Sequence, residues 1–201
     1  MAENKIIELP NPKLSSNISL EEAISSRRSV RNFSSRDISW EEIGQLVWAG
    51  QGITGNIGSY SLRASPSAGA LYPMELYVLT KNGLYHYLPQ GHKLEVLAEK
   101  DLRQDLSKAC LGQSSIVSAS VDILICAEFS RVTLKYKEHG VGYVNIEAGH
   151  IAQNIHLQAV ALGLVSVPIG AIDKAAIKKA LSLPDEFEPI YVVPVGYPQK
   201  K

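Results

Sequence analysis

Cysteine is nearly absent. Cys110 and Cys126 are the only two in 201 residues. That excludes a disulfide framework and gives no thiolate set for a metal. No apolar run is long enough to span a membrane, and the opening MAENKIIELPNPKL lacks the apolar core of a secretory signal. Both absences point to a cytoplasmic protein. There is no excess charge either: 20 basic residues balance 20 acidic ones. Without a basic face, nucleic-acid binding is not expected, and any anion site must be a local cluster. Also missing are a G-x-G-x-x-G turn after a strand and a G-x-x-x-x-G-K-[ST] loop, so a dinucleotide or P-loop fold has no textual support.

Apolar residues make up 45% of the chain and charged residues 20%, as in an ordinary globular domain. A chain of this length buries about 70% of its extended surface on folding. Residues 1–18 read as an irregular arm and 19–201 as one domain. Ser19 with Glu22, and Ser39 with Glu42, are capping-box pairs that start helices through about Arg27 and Gly50. The Gly- and Ser-rich stretch 51–70 reads as loop. Residues 75–80 and 84–88 form a hairpin around Lys81, Asn82 and Gly83. Residues 94–111 have helical spacing, with a possible break at Asp101. Residues 121–128 are a strongly apolar strand. A long helix follows over 141–162, ended by Gly163, then a short extended segment at 164–168. Asp173 caps a helix to about Leu181. The last strand carries Pro194, which suits a sheet edge or a bulge. Helices and strands are interspersed without repeat or clear linker, so one α+β domain is the simplest class.

Five segments could carry chemistry. In SSRRSVRNF, Arg27, Arg28 and Arg31 surround Ser29. Arginine forks suit phosphate oxygens, but positive side chains also suit a helix C-terminus. In RASPSAGALYPM, Pro66 stiffens the chain and Ser67 offers a donor. Ala68, Gly69 and Ala70 let backbone approach a flat ligand, or simply make a tight turn. In GLVSVPIGAI, amides around Gly170 and Ala171 could reach an acceptor. In LKYKEHG, Lys135 and Tyr136 could assist proton transfer if both face one pocket; otherwise they are a solvated charged segment. In EAGHIAQNIH, Glu147 and His150 have E-x-x-H spacing, but no second copy exists, so no metal site is expected. His150 and Asn154 share one helical side and suit a buried hydrogen-bonding face, such as one at a subunit contact.

The ordered set SRRSVRNF, RASPSAGALYPMELYVL, GLYHYLPQGHKLEVL, YVNIEAGHIAQNIHLQAVALGL and PIGA resembles the FMN-dependent nitroreductase superfamily, most of all its branch of SagB-type azoline dehydrogenases. The resemblance covers roughly residues 20–198. It implies a central, mostly antiparallel sheet flanked by helices, and an intertwined homodimer with an FMN site at each interface. It implies that Arg27 and Ser29 contact the phosphate and ribityl chain, that Arg31 lies near the pyrimidine edge, and that Arg28 between them belongs to the cofactor-binding set. Pro66, Ser67, Ala68, Gly69 and Leu71 would line the flavin from the other subunit. Pro168, Ile169, Gly170 and Ala171 would approach N5 and O4, and Lys200 or Lys201 would reach the phosphate. Lys135 and Tyr136 match the branch's Lys–Tyr pair that assists proton removal. The chain departs from the branch at His139 and Gly142, where relatives often carry arginines.

The activity so implied is hydride transfer through flavin N5 from NAD(P)H to a small aromatic or quinone-like acceptor. The alternatives are direct oxidation of an azoline with oxygen as acceptor, and a flavin-binding dimeric module without turnover.

Overall fold

One antiparallel sheet of seven strands carries the molecule. The computed structural model describes residues 5–58 and 60–199. Its strands are β1 (Ile6–Glu8), β2 (Ile53–Ile57), β3 (Tyr60–Arg63), β4 (Met74–Thr80), β5 (Gly83–Leu88), β6 (Lys93–Ala98), β7 (Val121–Ala127), β8 (Val165–Ser166) and β9 (Glu188–Gly196). Its helices are α1 (Leu20–Ser26), α2 (Trp40–Gln51), α3 (Arg103–Ala109), α4 (Ser114–Ser118), α5 (Ser130–Tyr136), α6 (His139–Ala161) and α7 (Lys174–Leu181). The sheet order is β1-β6-β5-β4-β7-β9-β8, and β2 and β3 form a separate hairpin. The α+β class with a central antiparallel sheet is what the sequence led us to expect.

Both faces of the central strands are covered, which explains their nearly unbroken apolar runs. Leu76, Val78, Ile123, Ile125, Val193 and Val195 join a cluster with residues of α2 and α6. Their neighbours of opposite parity, Tyr77, Leu79, Leu124, Cys126 and Val192, join a second cluster with residues of α3 and α7. A strand buried on both sides has no polar face to alternate with. Cys110 and Cys126 both lie in the second cluster as fully buried free thiols. Burial pushes the Cys110 thiol up to about 12 and the Cys126 thiol higher still.

Local chemistry sets the helix starts. The Glu22 N–H donates to Ser19 Oγ at 3.1 Å while the Ser19 N–H donates to Glu22 Oε2 at 2.8 Å. Ser39 and Glu42 repeat the arrangement at 3.2 and 2.8 Å. Each box satisfies two donors that a helix start would otherwise strand.

Three segments differ from the sequence expectation. Residues 93–98 are strand β6, not the start of a helix, and helix α3 begins only at Arg103. Their leucines have helical spacing, but Leu94 pairs across to Tyr87 and on the other side to Ile7, and the ladder outweighs propensity. The stretch 51–70 holds the hairpin β2–β3 as well as loop. The arm is not wholly irregular: β1 extends the sheet beside β6, and Leu9 is buried in the first cluster.

Pro194 sits inside β9, opposite Asp122. Its carbonyl accepts from Val167 N–H at 3.2 Å. In a strand the nitrogen points to the same side as that carbonyl, so the missing donor faces the two-residue β8 rather than central β7.

Candidate functional site

The segment 66–72 leaves β3 and enters β4 through an unusual turn. Gly69, Ala70 and Tyr72 have φ of 64°, 53° and 46°. Two of the three are not glycine, and each left-handed non-glycine residue costs about 1 kcal/mol or more. Neighbours hold them there. Tyr72 N–H donates to Ser67 Oγ at 2.9 Å, and Ala70 N–H to the Ser67 carbonyl at 3.1 Å. Arg131 of α5 donates to the Tyr72 carbonyl at 3.1 Å, to Glu75 Oε1 at 2.6 Å and to Glu128 Oε2 at 2.7 Å. Burial pushes the Glu75 carboxyl up, but His86 and Arg131 outweigh it and hold it below the ordinary range.

This anchoring brings Lys135 and Tyr136 to the turn. Lys135 is one helical turn beyond Arg131 on α5. A Cβ built on Gly69 would lie 2.8 Å from Tyr136 Oη and 3.0 Å from Lys135 Nζ. The pair is therefore helical, not a loop, and both tips meet over the one residue with no side chain. Tyr136 also packs edge-on against Tyr143 of α6, with centroids 5.2 Å apart.

Helix α6 closes the other side. Tyr143, Ile146, Glu147 and His150 face Pro66, Ser67 and Ala68 across a cavity of about 260 Å³. Glu147 is 2% exposed. Burial pushes its carboxyl up to about 7, against weaker downward pulls from Ser67, Gln51 and Arg63. Gln51 Oε1 accepts from Arg63 at 2.7 Å. Gln51 Nε2 faces Glu147, but neither it nor Glu147 Oε1 has a well-formed hydrogen bond among the described residues. The E-x-x-H pair does not act together: Glu147 is buried while His150 is exposed, and no metal-binding group of side chains occurs among the described residues. Asn154 is half-buried and donates to the Ala49 carbonyl and to Ser65 Oγ at 3.1 Å each, but His150 on the same helical side is exposed, so the expected buried face forms only at Asn154. The signal for a buried acid was present in the sequence, since Glu147 shares its helical side with Val144 and Ile151 of the core.

A second constellation lies further along α6. A parallel bridge joins Ser29 to Ser166, and Val30 N–H donates to the Ser166 carbonyl at 3.0 Å. The arginine segment thus runs beside the V-P-I-G-A segment, although far from it in sequence. Arg27 is half-buried and Arg31 exposed, and neither guanidinium has an ion pair or side-chain hydrogen bond among the described residues. Arg28 differs: it donates to the Ser25 and Arg27 carbonyls at 2.9 and 2.7 Å, capping α1. Ile169 is a core residue that exchanges both backbone bonds with Val192 at 2.8 and 3.0 Å. Gly170 and Ala171, both exposed, keep free amides among the described residues. Pro168 is half-buried between them and the bridge. Leu71 packs against the first core cluster. His156 of α6 is buried below, its Nδ1 2.7 Å from Ser166 Oγ. Burial, and secondarily Arg27, lowers it to about 4. The end of β9 returns to the same place, where Ser34 N–H donates to the Tyr197 carbonyl at 2.9 Å. Lys200 and Lys201 lie outside the described residues.

No helix among the described residues is long and apolar enough to cross a membrane. The nitroreductase family model matches residues 24–197. A protein of Methanocaldococcus jannaschii that carries the nitroreductase name is 33% identical over 202 residues, spanning 98% of each chain. The microcin B17-processing protein McbC of Escherichia coli is 32% identical over 114 residues, and the match covers 42% of it. Among solved structures, a nitroreductase homologue from Ralstonia eutropha superposes with a TM-score of 0.87 at 25% identity, over 100% of this chain and 93% of that one. A chain of the E. coli microcin synthetase McbBCD complex has the same fold, with a TM-score of 0.73 at 23% identity. On this evidence the chain belongs to the nitroreductase family, a family of oxidoreductases that generally bind flavin.

Proposed function

We propose that the protein is an FMN-dependent oxidoreductase of nitroreductase type, taking electrons from NAD(P)H and passing them to a small aromatic or quinone-like acceptor. One observation carries this reading: the Ser29–Ser166 bridge brings the segment that carries the unpaired Arg27 and Arg31 alongside the segment that carries the free amides of Gly170 and Ala171. Those residues fit the cofactor. Arg27 and Ser29 suit a phosphate. Arg31 suits the electron-rich edge of a ring that gains charge. The exposed amides of Gly170 and Ala171 suit the acceptors on its central part. When bound, FMN supplies the hydride chemistry itself.

The turn at Gly69 suits the opposite side of the same ring, contributed by a second copy. Glu147 and His156 mark the two constellations on α6, and nine helical steps set them about 13.5 Å apart along its axis. One chain therefore presents both halves at different stations, as expected of a dimer whose sites each draw on both subunits. Exposed Val141, Tyr143 and Ile146 on α6, with Leu20 and Ile24 on α1, are apolar surface suited to such a contact.

A specific observation favours a second reading, direct oxidation of an azoline with oxygen as acceptor. Lys135 Nζ and Tyr136 Oη converge over Gly69, where they could hold or remove a substrate proton. The processing proteins among the relatives are more than twice as long as the matched part, so their whole activity does not transfer with it.

The deciding experiment uses freshly purified protein. The reading expects a yellow dimer that releases one FMN per chain and is bleached by NADPH, then reoxidised by a quinone or nitroaromatic. Reduction by an azoline peptide but not by NADPH would select the second reading. Colourless, monomeric protein that takes up no added FMN would overturn both.

A further inference from the structure

Glu147 is an acid in the wrong place for a merely structural residue. It lies on the core side of α6, 2% exposed, with Oε1 unpartnered. The polar group that turns to it from the 66–72 segment is the Ser67 hydroxyl. That hydroxyl already accepts from Tyr72 N–H at 2.9 Å. Its own single proton therefore has two destinations: inward to Glu147, or outward into the cavity that Pro66, Ala68 and Ile146 also line.

We propose that Glu147 is a positioning residue whose own proton decides which way the Ser67 hydroxyl donates, and hence whether the 66–69 segment offers a hydrogen bond to a bound flavin. The inference rests on the cofactor reading above. An ionised carboxylate only accepts, so it draws the Ser67 proton inward. A protonated Glu147 no longer requires it and can itself donate, which releases the Ser67 proton to the cavity. The only net change is one proton exchanged with solvent.

Other groups around Glu147 could compete. Arg63 of β3 is held off by Gln51 and stacks on Tyr72, 4.7 Å from the ring centroid. Tyr143 and His150 share the cavity from α6. Lys135 and Tyr136 of α5 sit over Gly69, and Arg131 is neutralised by Glu75 and Glu128. None of these groups bonds to Glu147; its polar neighbours are Ser67, which shares the cavity wall with it, and Gln51. The elevation of the carboxyl to about 7 places the exchange in an accessible range.

The test has two arms. In cofactor-free protein with ¹³C-labelled glutamate carboxyls, one carboxyl should titrate near neutral pH, and Glu147→Gln should remove that resonance. In the second arm, FMN affinity is measured by fluorescence quenching between pH 5.5 and 8.5. Ionisation of the FMN phosphate affects every variant alike, so the readout is the ratio to Glu147→Gln. Relative to that variant, the wild type should bind about three- to tenfold more weakly at pH 8.5 and equally at pH 5.5. Ser67→Ala should abolish the pH-dependent part, and His150→Asn should leave it intact. A flat ratio, or a pH step that survives in Ser67→Ala, would overturn the proposal while FMN binding still stands. Failure of FMN to bind at any pH would overturn the cofactor reading and this one with it.

Discussion

Replacing Gly69 with alanine tests the turn and the Lys–Tyr pair together. The residue has φ 64°, where a Cβ costs about 1–2 kcal/mol. The new methyl would also stand 2.8 Å from Tyr136 Oη and 3.0 Å from Lys135 Nζ. The crowding atoms are tips of side chains, and no backbone atom is among the three nearest. The chain should therefore fold and the tips should swing away. For a domain of this size each kcal/mol lowers Tm by about 2–4 °C, so thermal unfolding should shift down by about 2–8 °C. Function should split. Quinone reduction needs no proton from this pair, so it should fall only in step with any loss of FMN affinity, measured separately on the same variant. Azoline oxidation, if present, should fall by about 10²–10⁴-fold, the worth of a positioned acid–base group. An unchanged Tm would refute the left-handed turn. A variant that keeps full azoline turnover would refute the role of the pair.

Glu147→Gln should change stability with a definite sign. The carboxyl rises from an ordinary 4.5 to about 7 on folding, so the ionisation-linked part of its burial cost is zero at low pH and grows as pH rises from about 4.5 to 7. The variant's stability relative to wild type should grow by about 3 kcal/mol from pH 4 to pH 8 in urea unfolding; a constant difference would contradict the buried acid. Arg131→Gln should lose about 1.5–3 kcal/mol, because the Tyr72 carbonyl and Glu75 lose a charged donor; equilibrium unfolding measures it. Arg27→Ala should weaken FMN retention by about tenfold or more, whereas Arg28→Ala should leave it unchanged, since that side chain is engaged with α1 carbonyls. Equal losses in the two would contradict the assignment.

What could be read from the sequence follows how local the cause is. The capping boxes at Ser19 and Ser39, the turn at Asn82 and the apolar run of β7 each carry their cause within a few residues. The stretch K-L-E-V-L-A does not. It has helix-forming residues at helical spacing, and only Tyr87 and Ile7, brought in from elsewhere, make it a strand. The hairpin β2–β3 was hidden for a related reason: its glycines and serines read as loop, while its pairing is visible only across the turn. At the site, residue types were informative and partners were not. The three arginines look alike in sequence, and only the helix end separates Arg28 from Arg27 and Arg31. Glu147 suggested a metal spacing to be dismissed, whereas its environment is the loop that α6 covers.

The two thiols lie on the side of the sheet away from α2 and α6. Both constellations reach toward that side only through sheet neighbours, Glu75 opposite Cys126 and Ile169 in the same cluster, and neither thiol can react until its cluster opens. Their alkylation therefore serves as a built-in clock for large-scale opening. A ligand gripped across the sheet should slow that clock for Cys110 and Cys126 equally, whereas a loosened contact around one alone should let it run ahead.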